Sequence, residues 1–408
     1  MTHPRSELEV AQAPRFRSYV VAVLCGLLIY FLTAALINYY FDPFTVYKPL
    51  RAWKHVPRTT NIERVTLSHD LRRAEPIDVL FIGSSRVRYV FGKNGGSVEK
   101  SSSAAYFPNK HVYIAAMVGS NIHVMRRVFE HALHYHPIQE LVFLVDDVML
   151  NTNRPLGAGW NDSNYYGSPT YYTPLERALQ MVDFSMLQSS VGLWLANSGR
   201  KANDTEPLSY NHDIQAQWRQ NVAEFSRRDL YGCYEIGSAP VSELDQIIVL
   251  AKRHNVKVTL ISSFIHPAFF EFFYDSDGGK GLRRFLTVLR NAAVKYSVPA
   301  WYYTPYSPIA RGTPRIHYFQ PAFYDAPDFA DPGHANFLMY TRLFDRAFLG
   351  KKNSDVLGWL LNDVKVDDIM NDLHNSYRKN QAAGGISLLK QIPKLVADAN
   401  CPVGRKQN

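Results

Sequence analysis

Residues 77–86 read IDVLFIGSSR. The block from Ile77 to Ile82 is short, largely apolar and without strict polar/apolar alternation, the pattern of a strand buried on both faces. Gly83 ends it. The Gly-Ser-Ser that follows predicts a tight turn into a helix, with Ser84 and Ser85 carried at the strand's exit.

Outward from that stretch the same pattern repeats. HVYIAAM (111–117) leads to Gly119, LVFLV (141–145) runs into Asp146 and Asp147, and VKVTLI (256–261) and PAWYY (299–303) supply two more strands. Between them, apolar residues recur at helical spacing: Ile122, Met125, Val128, Phe129 and Leu133 within Asn121 to Tyr135, and Leu244, Ile247, Ile248 and Ala251 within Val241 to His254. Leu282 to Tyr296 is a further helix. Strands alternating with helices predict an α/β fold, a doubly wound parallel sheet with right-handed crossovers and helices on both faces. The domain is expected over 77–350, with insertions at 151–239, holding a helix near 175–195, and at 266–280. A linker covers 39–76, and shorter helical fragments make up the extension at 351–408.

Tyr19 to Ile37, YVVAVLCGLLIYFLTAALI, holds no charged residue and matches the roughly 20 residues that cross a hydrocarbon core as a helix. It is longer than the h-region of a cleaved signal, about 7–15 residues, and no A-x-A site follows. A transmembrane anchor over 19–38 is therefore expected. Arg15 and Arg17 precede it and the aromatic run Tyr39 to Phe41 follows, which places residues 1–18 in the cytoplasm and the rest outside it. Lys48, Arg51, Lys54 and Arg58 pull the other way within the same counting window.

A net charge of +9 over 408 residues, with Lys and Arg scattered, gives no footprint for nucleic acid. It suits an anionic surface or an acidic polysaccharide. Three cysteines exclude a zinc ribbon or a disulfide scaffold. Cys25 falls in the apolar span, which leaves Cys233 and Cys401 either bridged or as separate thiols. His123, His131, His134 and His136 straddle a helix end without a carboxylate pattern, and are expected on a solvated face instead of around a metal. No metal or cofactor is called for.

Chemistry is expected where the first strand ends. A hydroxyl on a strand-to-helix turn projects from the sheet and is well placed to act as a nucleophile. The P-loop spacing G-x-x-x-x-G-K-[ST] is missing. Downstream, FADPGHANF sets Asp331 three residues before His334, where a helix over 335–349 begins. A carboxylate at that offset can orient an imidazole that takes a serine proton. In an open α/β sheet both pieces fall at the carboxyl edge, where ligands bind.

These blocks resemble the SGNH, or GDSL-like, hydrolase superfamily over about Ile77 to Leu349. Gly83-Ser84-Ser85 is similar to its Gly-Asp-Ser block, with Ser85 as the nucleophile and Ser84 in the place of the Asp. Met117 to Ser120 is similar to the second block, so Gly119 is implied to give an oxyanion-hole N–H beside that of Ser85. D-x-x-H supplies Asp331 and His334. The third block departs from the pattern: Asp146 stands where an Asn donor is expected, and an ionised carboxylate cannot stabilise an oxyanion. Ser84, Arg86, Asp146 and His266 are expected along the substrate cleft. The resemblance is nearest to membrane-anchored proteins that modify bacterial surface polymers, such as alginate acetylation and teichoic acid D-alanyl transfer proteins. It implies an acyltransferase or esterase in the cytoplasmic membrane, with its domain in the periplasm or outside the cell. A polysaccharide substrate and a multi-spanning membrane acyltransferase as partner are also implied. The alternative is a catalytically weak or inactive glycan-binding scaffold subunit, for which Ser84 and Asp146 argue.

Overall fold

Each apolar block becomes a strand because it leaves water on both faces, and the polar punctuation between blocks turns the chain back. The computed structural model describes residues 8–41, 67, 70–91, 96–117, 119–153, 181–182, 184–198, 234–263, 270, 273–274, 278–303, 329–331, 334–335, 337–351 and 358–382. The strands are β1 (Val79–Gly83), β2 (Gly96–Ser97), β3 (Val112–Ala116), β4 (Glu140–Val145), β5 (Lys257–Ser262), β6 (Ala300–Tyr303), β7 (Phe329–Asp331), β8 (His334–Ala335) and β9 (Gly358–Leu360). The helices are α1 (Leu8–Phe41), α2 (Lys100–Ser103), α3 (Ile122–Tyr135), α4 (Phe184–Ser198), α5 (Ser238–Arg253), α6 (Lys280–Tyr296), α7 (Phe337–Ala347) and α8 (Val366–Ala382).

Seven strands form one sheet in the order β2-β3-β1-β4-β5-β6-β9, and β7 pairs with β8 separately. The five inner strands, those expected from the sequence, are parallel. The expectation of a wholly parallel sheet is corrected at the edges, where β2 and β9 run antiparallel to their neighbours. Two and three residues long, they carry too little sequence for a period-2 signal. β9 also corrects the reading of 351–408 as helical fragments only, since that extension completes the sheet.

Alternation along the strands sends side chains to two faces. Val79, Phe81, Val112, Ile114, Val142, Leu144 and Ile261 pack with Phe91 and Phe107, and with Tyr340, Leu343 and Phe344 of α7. Phe344 sits within 5.6 Å, ring to ring, of both Phe81 and Phe91. Leu80, Ile82, Leu141, Phe143 and Leu260 alternate onto the other face, fully buried, where α3 meets β1 and α5 meets β5. α3 starts at Asn121, whose Oδ1 accepts from Val124 N at 3.0 Å, and buries Met125, Val128 and Phe129. Glu243 of α5 holds both Arg126 and His123 of α3, fastening the two helices.

Two units separate by contact: Met1–His69 with Thr170–Pro207, and Asp70–Pro169 with Leu208–Asn408. Part of the 151–239 insertion therefore belongs with the N-terminal helix, and the sheet makes up the other unit. In the first, α1 contains Phe16–Phe41, long and apolar enough to cross a membrane. The helix begins at Leu8, well before the expected span. Cys25 on it is exposed, and Cys233 and Cys401 lie outside the described residues.

Candidate active site

The carboxyl ends of β1, β3, β4 and β5 converge on one edge. β1 and β3 stay in register to their last pair, Gly83 with Ala116, and Met117 N donates to Gly83 O at 3.0 Å. Beyond that pair, Ser85 opens a 3-10 turn (Ser85–Tyr89) and Gly119 follows β3. Gly119 has φ +65°, the left-handed region a glycine takes without the Cβ penalty. Ser85 is half-buried and Gly119 exposed.

Ser84, Asp146 and Ser263 are each the first residue past a strand end, of β1, β4 and β5 in turn. They are 6%, 1% and 8% exposed. Ser84 Oγ donates to Asp146 Oδ2 and accepts from Arg86 N at 3.3 Å, capping the 3-10 turn. Arg86 Nη1 donates to Ser263 Oγ at 3.0 Å and faces two carboxylates, Asp147 Oδ1 at 3.4 Å and Asp146 Oδ1 at 3.5 Å. That Asp146 oxygen is buried and has no hydrogen bond among the described residues, only the guanidinium charge opposite it. Ser84, Arg86 and Asp146, expected to line the cleft, are thus buried and joined to one another beneath the turn that carries Ser85.

Two further residues, Tyr234 and Tyr340, join this cluster. Asp147 Oδ1 accepts from Val148 N, and the Asp147 carbonyl accepts from Tyr234 OH at 2.9 Å. Tyr340 of α7 donates its hydroxyl to Arg86 O at 2.6 Å. Burial pushes the Tyr340 phenol well above its ordinary 10, and the Asp146 charge adds to this against Arg86, so the hydroxyl stays protonated and donating. Sequence reading missed Ser263 and Tyr340. The available signals were only that Ser263 follows an apolar strand and that Tyr340 sits on the helix after D-x-x-H.

Asp331 and His334 fall on a two-stranded hairpin, β7 and β8, as register partners, so the helix α7 starts slightly later than expected. β8 comes within 8 Å, Cα to Cα, of the 3-10 turn that begins at Ser85. The side chains of Asp331 and His334, and the whole of His266, lie outside the described residues. Of the four histidines expected on a solvated face, His134 is exposed, whereas His131 and His136 are buried, His136 Nε2 meets the Leu71 carbonyl, and His123 Nδ1 meets Glu243 at 3.0 Å. Among the described residues no three His, Cys, Asp or Glu side chains gather as metal ligands. Compared with known family models and with curated proteins, the chain matches none.

Proposed function

We propose that this chain is a membrane-anchored serine acyltransferase or esterase of SGNH type, acting on O-acyl groups of a cell-envelope or exported polysaccharide. The observation that carries the reading is the approach of β8, which bears His334, to the turn that begins at Ser85. The inner strand order β3-β1-β4-β5-β6 supports it, because it is the doubly wound, flavodoxin-like order. In that order the chain reverses direction between β1 and β4, and ligands bind there beyond the carboxyl ends.

In this reading Ser85 Oγ attacks the acyl carbonyl while His334 takes its proton and Asp331 orients the imidazole. The N–H groups of Ser85 and Gly119 receive the oxyanion. His334 returns the proton to the leaving oxygen, and a glycan hydroxyl or water then releases the acyl group from Ser85. The buried Ser84–Asp146–Arg86 cluster holds the turn still, which a nucleophile needs for a fixed angle of attack. The anchor fits an N-terminus in the cytoplasm, a domain in the periplasm or outside the cell, and a multi-spanning membrane acyltransferase as the acyl source.

One observation favours a second reading, a glycan-binding scaffold with little turnover. Asp146 is committed to Ser84 and Arg86, so no donor side chain from that position serves an oxyanion. A missing donor costs about 10²- to 10³-fold in rate. Fluorophosphonate labelling of the detergent-solubilised protein decides between them: wild type should label, and Ser85→Ala and His334→Ala should not. Equal labelling of all three would sink the serine chemistry.

A further inference from the structure

Among the described side chains of α1, Ala34 and Asn38, one helical turn apart, are the two withdrawn from solvent, at 2% and 0% exposed. α4 packs against α1. Asn38 Nδ2 donates to the Met181 carbonyl at 2.8 Å, and Asn38 Oδ1 accepts from Ser190 Oγ at 3.0 Å. Met186, Ser190 and Leu193 follow at spacings of four and three, one face of the helix, and all are fully buried. A polar clasp between otherwise apolar helices is the form interhelical contacts take where water is scarce.

The opposite side of α4 carries large apolar side chains around an exposed, uncharged Gln188. Phe184, Val191, Trp194 and Leu195 are 69%, 39%, 52% and 59% exposed, and residues 184–198 include no charged side chain. A charge-free helix with large apolar side chains on both faces is suited to a core or to lipid. α1 covers one side only, and its own neighbouring residues Leu36 and Tyr40 are exposed to 70% and 66%. At 15 residues α4 is about 22 Å long, too short for a hydrocarbon core of about 30 Å. A tryptophan beside aliphatic residues is the composition of the bilayer interface.

We infer that α4 is a second membrane-seated element, lying in the lipid interface against the outer end of α1 with Phe184, Val191, Trp194 and Leu195 in contact with lipid. This rests on α1 crossing the bilayer and is independent of the chemistry at Ser85. The test uses the full-length chain with Cys25, Cys233 and Cys401 replaced by Ser, in phosphatidylcholine–phosphatidylglycerol vesicles. A single nitroxide is attached at Val191→Cys, at Leu195→Cys or, as a reference on α1, at Leu28→Cys. Dissolved oxygen should relax all three labels more strongly than a water-soluble nickel chelate does. Nickel dominant at Val191 and Leu195 with oxygen dominant at Leu28 would put α4 in water and overturn the inference. Labels at Val191 and Leu195 that are immobilised and shielded from both reagents would mean a protein partner covers that face, which also overturns it. Nickel dominant at Leu28 would remove the anchor itself and the inference with it.

Discussion

Ser84 and Ser85 are adjacent and chemically identical, yet their surroundings give them different work. Ser84 is buried, and its hydroxyl stands between the Asp146 carboxylate and the Arg86 N–H. Ser85 is half-buried at the start of the turn. Removing the Ser84 hydroxyl leaves a buried carboxylate short of its donor, a loss worth about 1–3 kcal/mol. Ser84→Ala should therefore lower the urea midpoint clearly, whereas Ser85→Ala should leave it nearly unchanged while abolishing fluorophosphonate labelling. A Ser84→Ala protein as stable as wild type would show that the cluster does not hold the turn. Ser84 was legible in the sequence as a hydroxyl on the turn after the first strand, but not its bond to Asp146, because a contact across 62 positions leaves no periodic trace.

At the scale of elements, the end of α3 is tied to the segment before β1 by His136, the α3 C-cap, whose Nε2 meets the Leu71 carbonyl. Burial holds the His136 imidazole below its ordinary 6.5, with His111 adding to the effect and the Leu71 carbonyl opposing it. A group whose folded value is depressed binds its proton more readily in the unfolded chain. Its stabilisation is therefore complete above about pH 6.5 and is lost as pH falls from there towards the folded value. Melting temperature should drop between pH 7 and pH 5, and His136→Gln should flatten that slope. An identical slope in the variant would assign the acid sensitivity elsewhere. The helices themselves were readable from apolar spacing, whereas this tie was not, since a histidine at a helix end reads equally well as solvated.

For the molecule as a whole, the C-terminal extension is part of the sheet that carries the candidate site. β9 closes one edge, and Gly358 lies so close to Tyr303 that an added Cβ would come 2.5 Å from its Cε1. The Tyr303 ring is buried in the core, and its hydroxyl donates to the Leu343 carbonyl of α7 at 3.3 Å, so it has little room to yield. Gly358→Ala should destabilise by about 1–3 kcal/mol, the usual cost of overpacking, read as a lower urea midpoint for the sheet unit. An unchanged midpoint would mean that β9 is a loosely attached flap. Hydrophobic patterning alone determined that this chain builds an α/β sheet with a serine turn at the end of its first strand and an apolar helix near its N-terminus. It could do so because pattern records which side chains leave water. Pattern does not record what they leave it for. That β2 and β9 close the sheet, that Asp146 turns to Ser84 and Arg86, and that a charge-free helix from the insertion seats itself on Asn38 were decided only by tertiary structure, through contacts between residues far apart in the chain.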